Sequence, residues 1–202
     1  MAADCADCWA AAGSSRAGAT AAAIGWRFDW ITPATDAAPL APAALPEAAE
    51  RAQRAGIPPP PAGGQRQLGR PAAARLPGLA LAVASGPAWQ GYFGVELKLQ
   101  RGVPNSLPAG SSAWLALVER VPAGSEGSAI ARELVRTVAG PLPLLGPPAA
   151  PGAASKASAG APLTHLRALR WPETAQPARL QARAWIEGPD GRILAVAADR
   201  CP

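Results

Sequence analysis

Leu180-Gln181-Ala182-Arg183-Ala184-Trp185-Ile186-Glu187-Gly188-Pro189-Asp190-Gly191-Arg192-Ile193-Leu194-Ala195-Val196-Ala197-Ala198 is the stretch whose reading decides the fold. Leu180, Ala182, Ala184 and Ile186 alternate with Gln181, Arg183, Trp185 and Glu187, the period of two expected of a strand with unlike faces. Gly188-Pro189-Asp190-Gly191 carries the Pro and Gly that a tight turn requires, and Ile193 to Ala198 returns. The stretch therefore predicts a β-hairpin. Trp185 shares its face with Gln181 and Arg183, which makes it the tryptophan expected to be exposed.

Working back towards the N-terminus, the same period recurs. Phe93, Val95, Leu97 and Leu99 oppose Glu96, Lys98 and Gln100, a strand with one wet face. Residues 79–84 form a short apolar run that is expected to end at the turn-prone Ser85-Gly86-Pro87. Residues 114–120 (WLALVER) stay apolar until Glu119, as a more deeply buried strand would. His165, Arg167, Leu169 and Trp171 alternate with Thr164, Leu166, Ala168 and Arg170 until Pro172. His165 falls on the side of Leu169 and Trp171, which suits a hydrogen-bonded core or rim histidine better than a metal ligand. Residues 131–138 fit helix and strand equally, because Ile130, Leu134 and Val138 lie at helical spacing while Leu134, Arg136 and Val138 alternate. Five or six short strands with turns between them predict an antiparallel β-sandwich-like domain over residues 76–202, with a flexible Pro, Gly, Ala and Ser loop near 140–162.

The first part of the chain reads differently. Residues 57–77 hold Pro58 to Pro61, Gly63, Gly64, Gly69 and Pro71, which favour extended, irregular chain and mark a linker. Before it, Pro46 suits a first helical position, Glu47 and Glu50 sit at the positive end, Arg51 and Arg54 follow each by four residues, and Gly56 supplies a stop. Residues 24–31 (IGWRFDWI) read as a strand with Trp26, Phe28 and Trp30 on one side. Cys5 and Cys8 form a CxxC pair, with Trp9 beside it and Asp4 and Asp7 around it. Such a pair suits thiol-disulfide exchange when one thiolate is stabilised and the second thiol resolves the mixed disulfide. Here Cys5 would attack and Cys8 resolve, with the two aspartates raising the thiol pKa and weakening the nucleophile. The other reading of the pair is an inert disulfide or two idle thiols.

Taken together, the CxxC pair, the segment Trp26-Arg27-Phe28-Asp29-Trp30, the charged helix, Leu115 to Arg120, Arg132 to Arg136 and the closing hairpin resemble an uncharacterised family of secreted bacterial proteins. That family joins a thioredoxin-like half to a β-rich half. The resemblance implies an α/β plus all-β chain, with an incomplete, truncated thioredoxin-like half over residues 1–75 ahead of the β-rich domain. It also favours a strand for residues 131–138. Cys5 and Cys8 would then be the catalytic pair, and a thiol or disulfide protein the partner.

Other function classes find less support. The net charge of +5 comes from seventeen Arg and two Lys scattered among the acids, not from a stripe interleaved with aromatics, so no nucleic-acid partner is expected. No stretch of about 18 apolar residues is free of charge, so no membrane span is expected. Cys5, Cys8, Cys201 and the lone His165 make a poor zinc set, no serine lies in a GxSxG elbow, and no glycine-rich cradle is present. Neither metal nor cofactor is expected. Met1 to Asp4 carry no leader, so a periplasmic or secreted location requires a signal peptide before Met1, and the cytoplasm is the other expectation. Two functions remain: weak thiol-disulfide exchange at Cys5 and Cys8, or a noncatalytic binding or structural protein of the cell envelope with vestigial cysteines.

Overall fold

A computed structural model describes residues 3, 9–10, 28–35, 37–54, 78–101, 107–144 and 162–199. Among the described residues seven strands, β1 (Leu79–Trp89), β2 (Tyr92–Arg101), β3 (Ser112–Val121), β4 (Arg132–Pro143), β5 (Leu163–Arg170), β6 (Leu180–Glu187) and β7 (Ile193–Ala198), form two antiparallel sheets. One sheet has the order β1-β2-β5 and the other β4-β3-β6-β7. This is a β-sandwich with immunoglobulin-like connectivity, the fourth strand pairing with the third.

The inner faces meet in one core. Val83, Val95, Leu97, Leu99 and Leu169 from the three-stranded sheet pack on Leu115, Leu117, Leu142, Ala182, Ala184 and Ile186 from the other. The alternation in β2 and β6 is thus the alternation of a sandwich strand.

Among the described residues the expected α/β, thioredoxin-like half is not seen; they are mostly strand, in two antiparallel sheets. The helix α1 (Pro46–Arg54) and the aromatic segment before it lie over the outer face of the four-stranded sheet. Phe28 and Trp30 fall on one side, as their spacing requires, but they pack on Trp185 instead of building a sheet of their own. Single bridges join Asp29 to Leu134 and Ile31 to Ala44. The Asp29 amide donates to the Glu133 carbonyl (2.7 Å), and the Val135 amide donates to the Asp29 carbonyl (3.0 Å). The pattern that reads as a strand is therefore that of an extended cover. Because β3 has the core on one side and this cover on the other, every residue from Ala113 to Glu119 is buried, which accounts for its unbroken apolar run.

The cover also overturns the expectation for Trp185, which is only 1% exposed. Its ring stacks on Trp114 (centroids 6.2 Å, planes 5° apart) and meets Trp30 edge-on (6.2 Å). The Arg51 guanidinium lies over both Trp185 (5.2 Å) and Trp30 (5.5 Å) and pairs with the Glu187 carboxylate. Arg51, expected to face Glu47 along the helix, thus reaches a strand 136 residues away. A desolvated cation over an indole contributes about 2 kcal/mol. Gly140 packs so closely on the same cluster that a Cβ there would sit 2.4 Å from Trp114 Cε3, so only glycine fits.

Two further boundaries differ from expectation. Ser85-Gly86-Pro87 is not a turn; β1 continues through it with a bulge between Ser85 and Ala88, tolerable because β1 is an edge strand where Pro leaves no ladder bond unmade. The turn follows at Gln90 (φ 46°) and Gly91 (φ 85°), the two positive φ values of a type I′ hairpin. Residues 132–143 are a strand, so β4 runs into the stretch read as a loop, while 145–161 lie outside the described residues.

Candidate functional site

At one end of the four-stranded sheet, beyond the edge of the cover, the chain leaves an open cleft of ≈ 720 Å³. Its walls are the end of β3 (Arg120, Val121), the following loop (Pro122, Ala123, Ala131), the start of β4 (Arg132, Glu133), Asp29, and the turn into β6 (Ala178, Arg179, Gln181).

Arg132 holds these walls together. Its side chain is 2% exposed, with Nη1 on Asp29 Oδ1 (3.2 Å), Nε donating to Ser128 Oγ (2.7 Å) and Nη2 donating to the Trp9 carbonyl (2.8 Å). The Trp9 ring lies under the guanidinium at 4.7 Å, and its Nε1 donates to the Glu126 carbonyl (2.7 Å). Glu126 (φ 50°) and Gly127 (φ 74°) take left-handed backbone there, which turns the loop so that the Glu126 carbonyl and Ser128 both face inward. Glu126 in turn pairs with Arg179 on the facing wall, and Glu133 pairs with Arg183 (2.9 Å).

Arg120 is the exception. It is exposed, and it makes no ion pair or hydrogen bond among the described residues. Its cross-strand neighbour is Glu133, whose carboxylate is engaged by Arg183.

Behind the cleft, a second buried pair fixes the approach to β6. Arg136 Nε lies 3.3 Å from Glu119 Oε2, Glu119 Oε1 accepts from the Gln176 amide (2.9 Å), and Arg136 Nη2 donates to Thr174 Oγ1. Burial pushes the Arg136 guanidinium below its ordinary pKa, and the Glu119 and Glu126 carboxylates pull it back.

The residues singled out from sequence fall elsewhere. Cys5, Cys8 and Cys201 lie outside the described residues, though Ala3 and Trp9, on either side of the CxxC pair, are both buried against Ile31, Val121 and Leu134. His165 is a rim histidine, as its face implies, with Nε2 2.8 Å from the Pro143 carbonyl. Ser85 donates to Asp199 from its hydroxyl and its amide (2.9 Å for the amide), and β2 separates it from the strand of His165, so these three do not form a relay. Among the described residues Trp89 (73% exposed) and Tyr92 are the exposed aromatics, at the tip of the β1-β2 hairpin. The signal for them was the Gln90-Gly91 dipeptide between them. For Arg120, Arg132 and Asp29 no local signal exists, because the cleft is assembled from segments far apart in sequence. Among the described residues no helix is long and apolar enough to cross a membrane, and no three His, Cys, Asp or Glu side chains converge.

Among the described residues, fold and cleft together define a seven-stranded β-sandwich with a cleft of mixed polar and apolar lining at one end of its covered sheet. No family model, curated protein or solved structure matches this chain.

Proposed function

We propose that this chain is a noncatalytic binding module and that the cleft is its ligand site. The observation that carries the reading is the construction of the cleft. The buried Arg132 guanidinium ties Asp29, the loop at Ser128 and Trp9 to the start of β4, so that side of the cleft is set before any ligand arrives and little ordering entropy remains to be lost there on binding. Its size lies within the range of small-molecule sites, roughly 300–1,000 Å³. The ionisable groups best placed for chemistry, Arg132, Asp29, Glu119 and Arg136, are instead bonded to one another and to the surrounding backbone, which favours a scaffold role for them.

Ala131 stands exposed at the mouth and lines the cleft, so Ala131→Trp should plug it without touching the core. A fragment mixture screened by ligand-observed NMR is expected to yield binders to the native protein that Ala131→Trp no longer retains. Binders unaffected by the plug, or none at all, would count against the cleft.

A further inference from the structure

We infer that the cleft takes the carboxylate of an organic acid with an apolar body, held by the Arg120 guanidinium. This rests on the reading of the cleft as a ligand site and adds the chemistry of what enters it. Of the three guanidinium groups that line the cleft, Arg132 is spent on Asp29, Ser128 and Trp9, and Arg179 is spent on Glu126. Arg120 has no such partner among the described residues, and a guanidinium fork matches a carboxylate with two parallel hydrogen bonds.

Gln181 adds to the same end. Its Oε1 accepts from Arg183 Nη2 (2.8 Å), which fixes the amide, and its Nε2 makes no hydrogen bond among the described residues. A second donor is therefore available on the neighbouring strand.

The remaining lining limits the charge and supplies the apolar surface. Asp29 and Glu133 share the cleft, so a dianion such as phosphate would be brought close to two carboxylates for the gain of one free cation. A monoanion suits that balance better. Pro122, Ala123, Ala131 and Ala178 are exposed along the walls and offer short apolar side chains to the body of the ligand.

The test is a titration of ¹⁵N-labelled protein with benzoate, with benzamide as its uncharged counterpart, and with inorganic phosphate, followed at the amides of 120, 121, 123, 131–133 and 178–181. Benzoate is expected to give saturable shifts confined to the cleft, benzamide to bind about tenfold more weakly, and phosphate not to saturate. Arg120→Gln should weaken benzoate about tenfold while the spectrum stays dispersed, because the side chain is exposed and its loss leaves the fold intact. Equal binding of benzamide, saturation by phosphate, or an unchanged benzoate affinity in Arg120→Gln would each overturn the carboxylate assignment and leave a ligand cleft standing. If none of the three saturates, the carboxylate assignment also falls, and the Ala131→Trp comparison then decides separately whether the cleft binds anything.

Discussion

Arg132→Met is expected to lower the free energy of unfolding by about 3–5 kcal/mol, the range for removing one partner of a buried ion pair. The loss has several parts. Asp29, with its side chain only 14% exposed, loses the guanidinium at 3.2 Å; Ser128 Oγ and the Trp9 carbonyl each lose a donor; and the Trp9 ring loses the cation above it. Methionine keeps much of the volume, so the deficit reports the polar network more than a cavity. Chemical denaturation measures the change. Because the same side chain ties Trp9 to the sandwich, amide exchange at Trp9 and Ala10 should rise by more than exchange in β2.

Glu119→Ala should destabilise the protein by a similar amount, about 3–5 kcal/mol, while the pair Glu119→Leu with Arg136→Met should fall within about 1 kcal/mol of the native protein or exceed it. A guanidinium whose pKa is lowered by burial is harder to charge in the folded than in the unfolded chain, so below its folded pKa the charge opposes folding. Glu119 offsets that cost. Removing Glu119 alone exposes the full penalty, whereas removing both charges removes the cost with the compensation. The Gln176 amide loses its acceptor in either variant, but Gln176 is exposed and water can replace it. If the double variant is as unstable as the single one, the pair contributes through something other than mutual charge compensation.

The strands that could be read from sequence are those whose two faces meet different surroundings. β2 has the core on one side and solvent on the other, so its alternation is complete, and β6-β7 announces both its period and its turn. Alternation assigns a residue to a face but does not say what lies on that face. Trp185 therefore shares a face with Gln181 and Arg183, as its alternation requires, yet that face is not solvent, since Phe28, Trp30 and α1 cover it. The same cover explains the error in the first half of the chain. An aromatic alternation followed by a charged helix is the pattern of an α/β unit, and nothing local distinguishes it from an extended segment and a helix laid across another sheet. Arg51 shows the limit most plainly: its spacing from Glu47 describes a helical pair, while the partner that holds α1 to the sandwich is Glu187.

The cleft was not legible because its polar groups are ordinary one at a time. Asp29, Arg120, Arg132 and Gln181 become a site only when β3, β4 and β6 lie side by side with the cover ending above them. Short-range spacing carries chemistry when the ligating residues share a helix or a loop, as the CxxC pair does. It carries none when the sheet does the assembling.

The aromatic segment and α1 form a cover packed on the four-stranded sheet, and the burial of Trp185 depends on it. A double-mutant cycle between Arg51→Ala and Glu187→Ala tests it most directly, since the two residues meet only if α1 lies on β6. The predicted coupling is about 1.5–3 kcal/mol, in the range of charged hydrogen bonds and contacting buried residues. Additive effects, with no coupling between the two substitutions, would contradict it.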